Sequence, residues 1–294
     1  MSSGQIDLHI HSNKSSDGDF SPFHIIQLAK EKKMRAISIS DHDTLAAYPE
    51  ALKLGQQEDV EVIPGLELTT LFDGREFHLL LPFVNWKSKI ASNLIARVSK
   101  ARVQEAKERV KKLQKIGFDI SWREILKKSK HGPPLGVAIA QILLDKAENK
   151  KNPLLEKYFQ DEYRHLAPYY FYEDYFMESK PAWIPKHNPS LLEALKLAPL
   201  TGGVPVLAHP GAYFQRASRD DLRILKESGL EGLEVYTSYH DSSQTEFYKK
   251  IADELDLVPT TGSDFHGRIK PHIPFGSIKD GGYWMVEELK KRKK

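Results

Sequence analysis

Short apolar runs alternate with helical patterns along most of this chain. Ile6–Ile10 reads as a strand, Pro22–Lys33 as a helix, Ala36–Ser40 as a strand and Thr44–Gln57 as a helix. Further strands follow at Val60–Ile63, Glu67–Leu71 and Phe77–Val84. After a long gap the alternation resumes with a strand at Val204–Ala208 and a helix at Asp220–Ser228. A strand at Gly232–Tyr236, a helix at Gln244–Leu255 and a strand at Val258–Thr261 complete it. Strand, helix, strand in repetition implies parallel pairing with right-handed crossovers, and so an α/β fold.

The middle of the chain breaks this rhythm. Ser88–Ile116 reads as one long amphipathic helix. Ser121, with Glu124 three residues later, is a capping-box start for a helix through Lys128. Pro133-Pro134 breaks the chain before a helix at Leu135–Glu148. A last helical stretch, Pro153–Ser179, contains the aromatic run Tyr169-Tyr170-Phe171-Tyr172. No Gly/Ser-rich linker flanks this region. It is therefore expected to be a helical cap subdomain at 85–180, inserted into a unit made of 1–84 plus 181–294 and packed over its mouth.

In open or closed α/β sheets the active site gathers at the carboxyl ends of the strands. The candidate chemistry sits there. His9 and His11 close the first strand, two apart and so on one face. Asp41, His42 and Asp43 follow the second strand, Glu67 follows Pro-Gly-Leu, and His209 lies in Ala-His-Pro. Asp264 and His266 repeat the two-residue spacing in Gly-Ser-Asp-Phe-His-Gly. Asp17 stands in a polar loop, and His78 lies within a strand. Singly, each signal is weak: Asp41 would equally suit a helix cap, and His78 a cross-strand pair. Jointly they form the imidazole and carboxylate set of a multi-metal hydrolytic site, in which Glu67 could bridge ions about 3.5–4 Å apart.

Composition narrows the chemistry. The chain has 294 residues, enough for one barrel-sized domain or two smaller ones, and no cysteine. Thiolate ligands and disulfides are thereby excluded, so any metal must use nitrogen and oxygen donors. No apolar run approaches the roughly 18 residues of a membrane span, and no basic-then-apolar leader pattern is present. A cytoplasmic protein without membrane partners is expected. The formal net charge of +3 is too small to argue for nucleic acid by itself. Lysines cluster at 87–130 and 289–294, where a solvated face and a funnel for anionic substrates both remain open.

Together His9-Ile-His11, the Ser-Asp-Gly loop at 16–18, Ser-Asp-His-Asp at 40–43, Pro-Gly-Leu-Glu at 64–67, His78, Ala-His-Pro-Gly at 208–211 and Gly-Ser-Asp-Phe-His-Gly at 262–267 closely resemble the PHP (polymerase and histidinol phosphatase) family of metal-dependent phosphoesterases. The resemblance covers about residues 6–84 and 181–276. The insert, and Lys-Pro-Ala-Trp-Ile-Pro within Phe176–Lys186, look like the nucleoside 3′,5′-bisphosphate phosphatase branch.

The resemblance implies a distorted (β/α)7 barrel with two or three divalent metal ions. It places His9, His11, Glu67 and Asp264 on the first ion, Glu67, His78 and His209 on the second, and Asp17, His42 and His266 on the third. Manganese, iron or zinc suit mixed histidine and carboxylate donors better than magnesium. The activity implied is hydrolysis of phosphate monoesters of nucleotides or short oligonucleotides by a hydroxide bridging the metals. Glu67 is the bridge, Asp41 and Asp43 orient their neighbours, and His240, after the Gly232–Tyr236 strand, is a candidate proton donor. A histidinol-phosphate-type phosphatase and a non-catalytic nucleotide- or nucleic-acid-binding module are the alternatives. Oligomeric state is left open.

One departure concerns substrate choice. The branch carries Gly-Arg-Pro-His at the start of a cap helix, where this chain has Gly132-Pro133-Pro134-Leu135. Neither Pro133 nor Leu135 can supply the bidentate fork that arginine offers to phosphate. Lys186, Arg216, Arg164 and Arg268 are the candidate replacements.

Overall fold

The computed structural model describes residues 5–15, 17–128, 133–213 and 215–294. Ser16 of the Ser-Asp-Gly loop and Gly132 of the Gly-Pro-Pro-Leu segment lie outside the described residues. The fold is mixed α/β. Strand β1 (Ile6–Ile10), helix α1 (Pro22–Glu31), β2 (Ala36–Ile39), α2 (Tyr48–Gln57), β3 (Glu61–Val62), β4 (Glu67–Phe72) and β5 (Arg75–Leu80) open the chain. Helices α3 (Lys89–Ile116), α4 (Trp122–Lys128), α5 (Gly136–Leu144), α6 (Glu156–Phe159), α7 (Asp161–Arg164) and α8 (Ala167–Tyr175) fill the middle. Then come α9 (Leu191–Leu197), β6 (Val206–Leu207), α10 (Arg219–Glu227), β7 (Gly232–Thr237), α11 (Ser242–Glu254), β8 (Val258–Gly262) and α12 (Trp284–Arg292).

The chain divides into two compact units, Met1–Val98 with Asn188–Lys294, and Ser99–His187. All the described strands belong to the first. A three-stranded sheet runs β1-β2-β3 and a five-stranded sheet runs β4-β5-β6-β7-β8. Pairs β1/β2, β2/β3, β6/β7 and β7/β8 are parallel. Pairs β4/β5 and β5/β6 are antiparallel, which the alternation of strands and helices did not foretell. The reason for the first is local: Asp73 (φ 49°) and Gly74 (φ 73°) make a two-residue hairpin turn with both central residues at positive φ, which returns the chain beside itself. Isolated parallel bridges, Ile10 with Phe265 and His42 with Glu67, link the two sheets.

Strands β1 and β2 are buried along their whole length, as expected of parallel strands covered on both faces. Ile10, Ile37 and Ile39 pack with Ile25, Ile26 and Ala29 of α1. Leu68, Phe77, Leu79, Leu207 and Leu233 form a second core with α9, α10 and α11. Within these apolar strands Asp7, His9 and Glu234 are also buried, with His9 and Glu234 fully so. A buried polar group requires a partner, and those partners form the site.

The second unit has its own core. Val110, Leu113, Ile125, Ile139, Leu143 and Phe171 are among its buried residues. Tyr170, Phe171 and Tyr172 of the aromatic run join that core: Phe171 is fully buried and packs against Phe118, Tyr158 and Phe176 at 5.5–5.6 Å between ring centroids. Ser121 Oγ accepts from the Glu124 N–H at 3.2 Å and donates to its carboxylate at 2.7 Å, the expected helix start. The helical stretch expected over Pro153–Ser179 consists of short helices, and Gln160, extended (φ −73°, ψ 147°), separates α6 from α7.

Candidate metal centre

Each ligand candidate is placed by a strand end or by the turn that follows it. His9 and His11 project from β1 to one side, as their spacing requires. His42 follows β2 in a loop tied down on both flanks. Asp41 accepts from the Ser12 N–H and hydroxyl, both at 2.6 Å, so it braces the loop after β1 and caps no helix. Asp43 accepts from the Thr69 N–H at 3.0 Å and hydroxyl at 3.2 Å, joining the same loop to β4. Glu67 stands at the start of β4, beside the end of β2 through the His42 bridge. The turn before it needs Gly65: a side chain there would run into the Ser38 and Ser40 hydroxyls, and the Gly65 N–H donates to the Tyr48 hydroxyl at 2.5 Å. His209 (φ 25°) and Asp264 (φ 57°) both turn left-handed just past their strands, strain of a kind that functional sites hold.

These elements bring the nine candidates together. His9, His11, Glu67 and Asp264 form one group of potential ligand atoms, His11, Asp17, His42 and His266 a second, and His42, Glu67 and His78 a third. His209 joins through Glu67, with Nε2 3.3 Å from Oε1. In the first group His9 Nε2 and His11 Nε2 face each other at 3.1 Å. Both also face Glu67 Oε2 and Asp264 Oδ1, at 3.1 Å from His11 and 3.3 Å from His9. Ligand atoms about 2.0–2.2 Å from one ion lie roughly 3–3.5 Å from one another. Glu67 Oε2, His11 Nδ1 and His42 Nδ1 are buried without a hydrogen bond of good geometry. The donor set therefore fits divalent ions bound by nitrogen and oxygen.

The electrostatics agree. Burial alone would raise the carboxylate of Glu67, but His42, His9 and His78 around it hold it well below the ordinary range. Asp264 and Asp17 are held well below it in the same way, against burial, by Lys270 and His266 for the first and by His42 and His266 for the second. Burial opposes charge on His11 and His78, yet hydrogen bonds and charge from Asp264 and Glu67 push His11 to about 9, and Glu67 pushes His78 to about 9. Burial holds His42 and His266 themselves below the ordinary imidazole value, so part of the positive charge beside these carboxylates is weak and bound cations would supply it. Divalent ions would displace the protons from His11 and His78.

Several contributors carry no motif. Glu234 on β7 accepts from His9 Nδ1 at 3.0 Å and from the His209 N–H at 2.8 Å, so one carboxylate orients two candidate ligands. Gly262 is required beside it, since a side chain there would meet Glu234 and His9. Asp264 Oδ2 accepts from Lys270 Nζ at 2.5 Å and from the Tyr239 hydroxyl at 2.8 Å. The signal that could have found Glu234 is a lone acid within an apolar strand.

His240, expected as a proton donor, has both ring nitrogens committed to the main chain: Nδ1–H donates to the Val235 carbonyl at 2.8 Å and Nε2 accepts from the Gly211 N–H at 2.9 Å. Burial lowers its pKa, consistent with a neutral ring that braces the His209 turn. Arg268 is paired with Asp19 at 2.5–2.8 Å, its side chain 85% exposed. Arg216 is exposed, and Arg164 and Lys186 belong to the second unit.

A family model described as the PHP domain matches residues 7–181. The chain belongs to the PHP domain family. It is 26% identical over 263 residues to a 5′-3′ exoribonuclease of Haemophilus influenzae, covering 88% of this chain and 89% of the relative. A phosphoribosyl 1,2-cyclic phosphate 1,2-diphosphodiesterase of Eggerthella lenta is 26% identical over 92% of this chain and 97% of its own length. A 3′,5′-nucleoside bisphosphate phosphatase of Chromobacterium violaceum is 22% identical over 89% and 87%. A solved structure from Bifidobacterium adolescentis, assigned to the metal-dependent phosphoesterases, superposes with a TM-score of 0.83 at 26% identity over 100% of this chain and 98% of that one. This PHP-family chain is accordingly a phosphoesterase, a hydrolase whose clustered ligand groups suit divalent metal ions. Among the described residues no helix is long and apolar enough to cross a membrane.

Proposed function

We propose that this chain is a divalent-metal-dependent phosphoesterase acting on phosphate monoesters of nucleotides or short oligonucleotides. The observation that carries the reading is the convergence of five imidazoles on one buried carboxylate. Nitrogens of His78, His11, His42, His9 and His209 lie 2.8, 3.1, 3.1, 3.3 and 3.3 Å from Glu67 oxygens. In this reading His9, His11, Glu67 and Asp264 hold one ion, Glu67, His78 and His209 a second, and Asp17, His42 and His266 a third. Manganese, iron or zinc is the resident metal. The parallel strand pairs and the two inter-sheet bridges support a distorted (β/α)7 barrel, with the helical unit as an insertion in its chain.

Divalent ions bound here would lower the pKa of a coordinated water toward neutrality and offset charge on the phosphoryl oxygens. The chain supplies the rest. Glu67 holds negative charge at the centre, within 3.3 Å of five imidazoles. Glu234 fixes the ring of His9 and the backbone of His209. Asp41 and Asp43 clamp the loop that presents His42. No side-chain nucleophile is needed. The relatives' names share a phosphate ester of nucleotide or sugar-phosphate type, which favours nucleotide-derived substrates over histidinol phosphate.

The test is a phosphate-release screen with Mn²⁺ over mononucleotides, 3′,5′-bisphosphonucleosides, short oligonucleotides and histidinol phosphate. Release from the nucleotide substrates, abolished by chelator, is expected. Turnover of histidinol phosphate alone would move the substrate class, and inertness toward every ester would overturn the reading.

A further inference from the structure

We propose that Lys270 is the cation that receives the substrate's phosphate in this site, held in place by Tyr239. The inference rests on the phosphoesterase reading above and names a residue that reading leaves without a role. Lys270 Nζ lies 2.5 Å from Asp264 Oδ2 and 2.8 Å from the Tyr239 hydroxyl. The Tyr239 hydroxyl donates to the same Oδ2 at 2.8 Å, closing a triangle. Asp264 is thereby divided: Oδ1 faces His9 and His11, and Oδ2 faces the ammonium.

That placement is unfavourable for binding metal alone. An ammonium one carboxylate away from a cluster that collects divalent cations repels them and weakens Asp264 as a donor. An anion arriving beside Asp264 would turn that charge to advantage. Phosphate is the anion that the reaction brings to this place. Lysine suits the task as a flexible point charge with three rotatable donors. The side chain is 12% exposed, so it is screened from bulk water but reachable. The Tyr239 ring lies 5.0 Å from that of His209, tilted by 55°, and its hydroxyl holds the ammonium at 2.8 Å. Of the cations named from the sequence, Arg268 is exposed and paired with Asp19, and Arg216 is exposed.

The experiment uses the full-length, Mn²⁺-loaded protein as wild type, Lys270→Met, Lys270→Arg and Tyr239→Phe. Binding of inorganic phosphate is measured by calorimetry, metal content by elemental analysis, and kcat and KM with the best ester of the screen. Lys270→Met should keep its metal while phosphate affinity and kcat/KM fall about tenfold or more, the scale of a lost charged hydrogen bond. Lys270→Arg should recover part of both, and Tyr239→Phe should fall between. If Lys270→Met does not fold, Lys270→Gln, which keeps a donor to Asp264, carries the same expectation. Phosphate affinity within twofold of wild type overturns the proposal. So does loss of metal in step with loss of phosphate, which would make Lys270 a brace for Asp264 only. A wild type that neither binds phosphate nor hydrolyses any ester removes the phosphoesterase reading and this inference together, whereas an active wild type matched by Lys270→Met removes this inference alone.

Discussion

Replacing Glu234 by Gln tests whether a residue outside every motif organises the metal centre. In the native site Oε1 lies 3.0 Å from His9 Nδ1 and Oε2 2.8 Å from the His209 N–H. Both partners are donors when His9 presents Nε2 to an ion. A glutamine has only one accepting end, so its NH₂ must face one of those donors. The substitution thus costs a charge-assisted hydrogen bond, about 1.5–3 kcal/mol, which is roughly a 10- to 150-fold change in an equilibrium constant. Partners that orient metal ligands typically contribute about 10–100-fold in metal affinity or activity, and the two figures agree. The assay is chelator competition for Mn²⁺, with phosphate release measured at limiting and at saturating metal. Affinity should fall by about 10–100-fold, and much of the lost rate should return at saturating Mn²⁺. A second arm adds His9→Ala. Once His9 is absent, Glu234→Gln should cost less than it does alone, because one of its two partners is gone. Metal affinity within twofold of wild type in Glu234→Gln would refute the reasoning.

Other outcomes follow from the same geometry. Glu67→Gln keeps size but removes the central charge, so turnover should drop at least about a hundredfold; a rate within a few-fold of wild type would show that Glu67 does not bridge. His9→Ala with His11→Ala should lose metal by elemental analysis while the circular dichroism spectrum persists, and full metal content would remove these residues from the ligand set. Stripping metal with chelator should lower Tm by several degrees, since about 2.7 kcal/mol of linkage at a hundredfold excess over Kd shifts a chain of this size by roughly 2–4 °C per kcal/mol; an unchanged melting curve would argue against resident ions. His240→Gln should cost about 1–2 kcal/mol of stability yet leave saturating turnover within about threefold, whereas a general acid contributes about 10²–10⁴. Burial lowers the His240 pKa, so its neutral ring contributes stability above the unfolded value near 6.5 that is lost as pH falls. Melting of His240→Gln should therefore depend less on pH in that acid range, and a profile parallel to wild type would count against a buried neutral ring.

How much was readable before the fold depended on the range of each interaction. The clustering of His9, His11, His42, Glu67, Asp264 and His266 was legible because a strand end presents its side chains through local spacing, two residues apart or just after an apolar run. The β4/β5 hairpin was equally local: Asp73-Gly74 is a turn signal, and attention to it would have corrected the expectation of parallel pairing. His240 is the contrasting case. A histidine a few residues past a strand has the same local signature whether its ring is offered to a substrate as a proton donor or, as here, hydrogen-bonds the backbone of Val235 and Gly211. Lys270 and Tyr239 were out of reach, since they meet on Asp264 from segments 31 residues apart and neither sits in a repeating pattern. Glu234 lies between these cases. Gly-Leu-Glu-Val-Tyr reads as an alternating half-exposed strand, in which an acid at the third position would simply face water. Only the covering of β7 on both sides makes it fully buried. Ionised carboxylates do not survive such burial without partners, so once a strand is known to be central, each lone acid in it implies a cation or donor nearby. Asp7 on β1 obeys the same rule: burial pushes it up to about 6 even while it accepts from the His9 and Ser263 N–H groups. Both acids lie beside His9, and the pairing of β7 with β8, together with the Ile10–Phe265 bridge from β1 to the segment after β8, makes one histidine the meeting point of two otherwise ordinary positions.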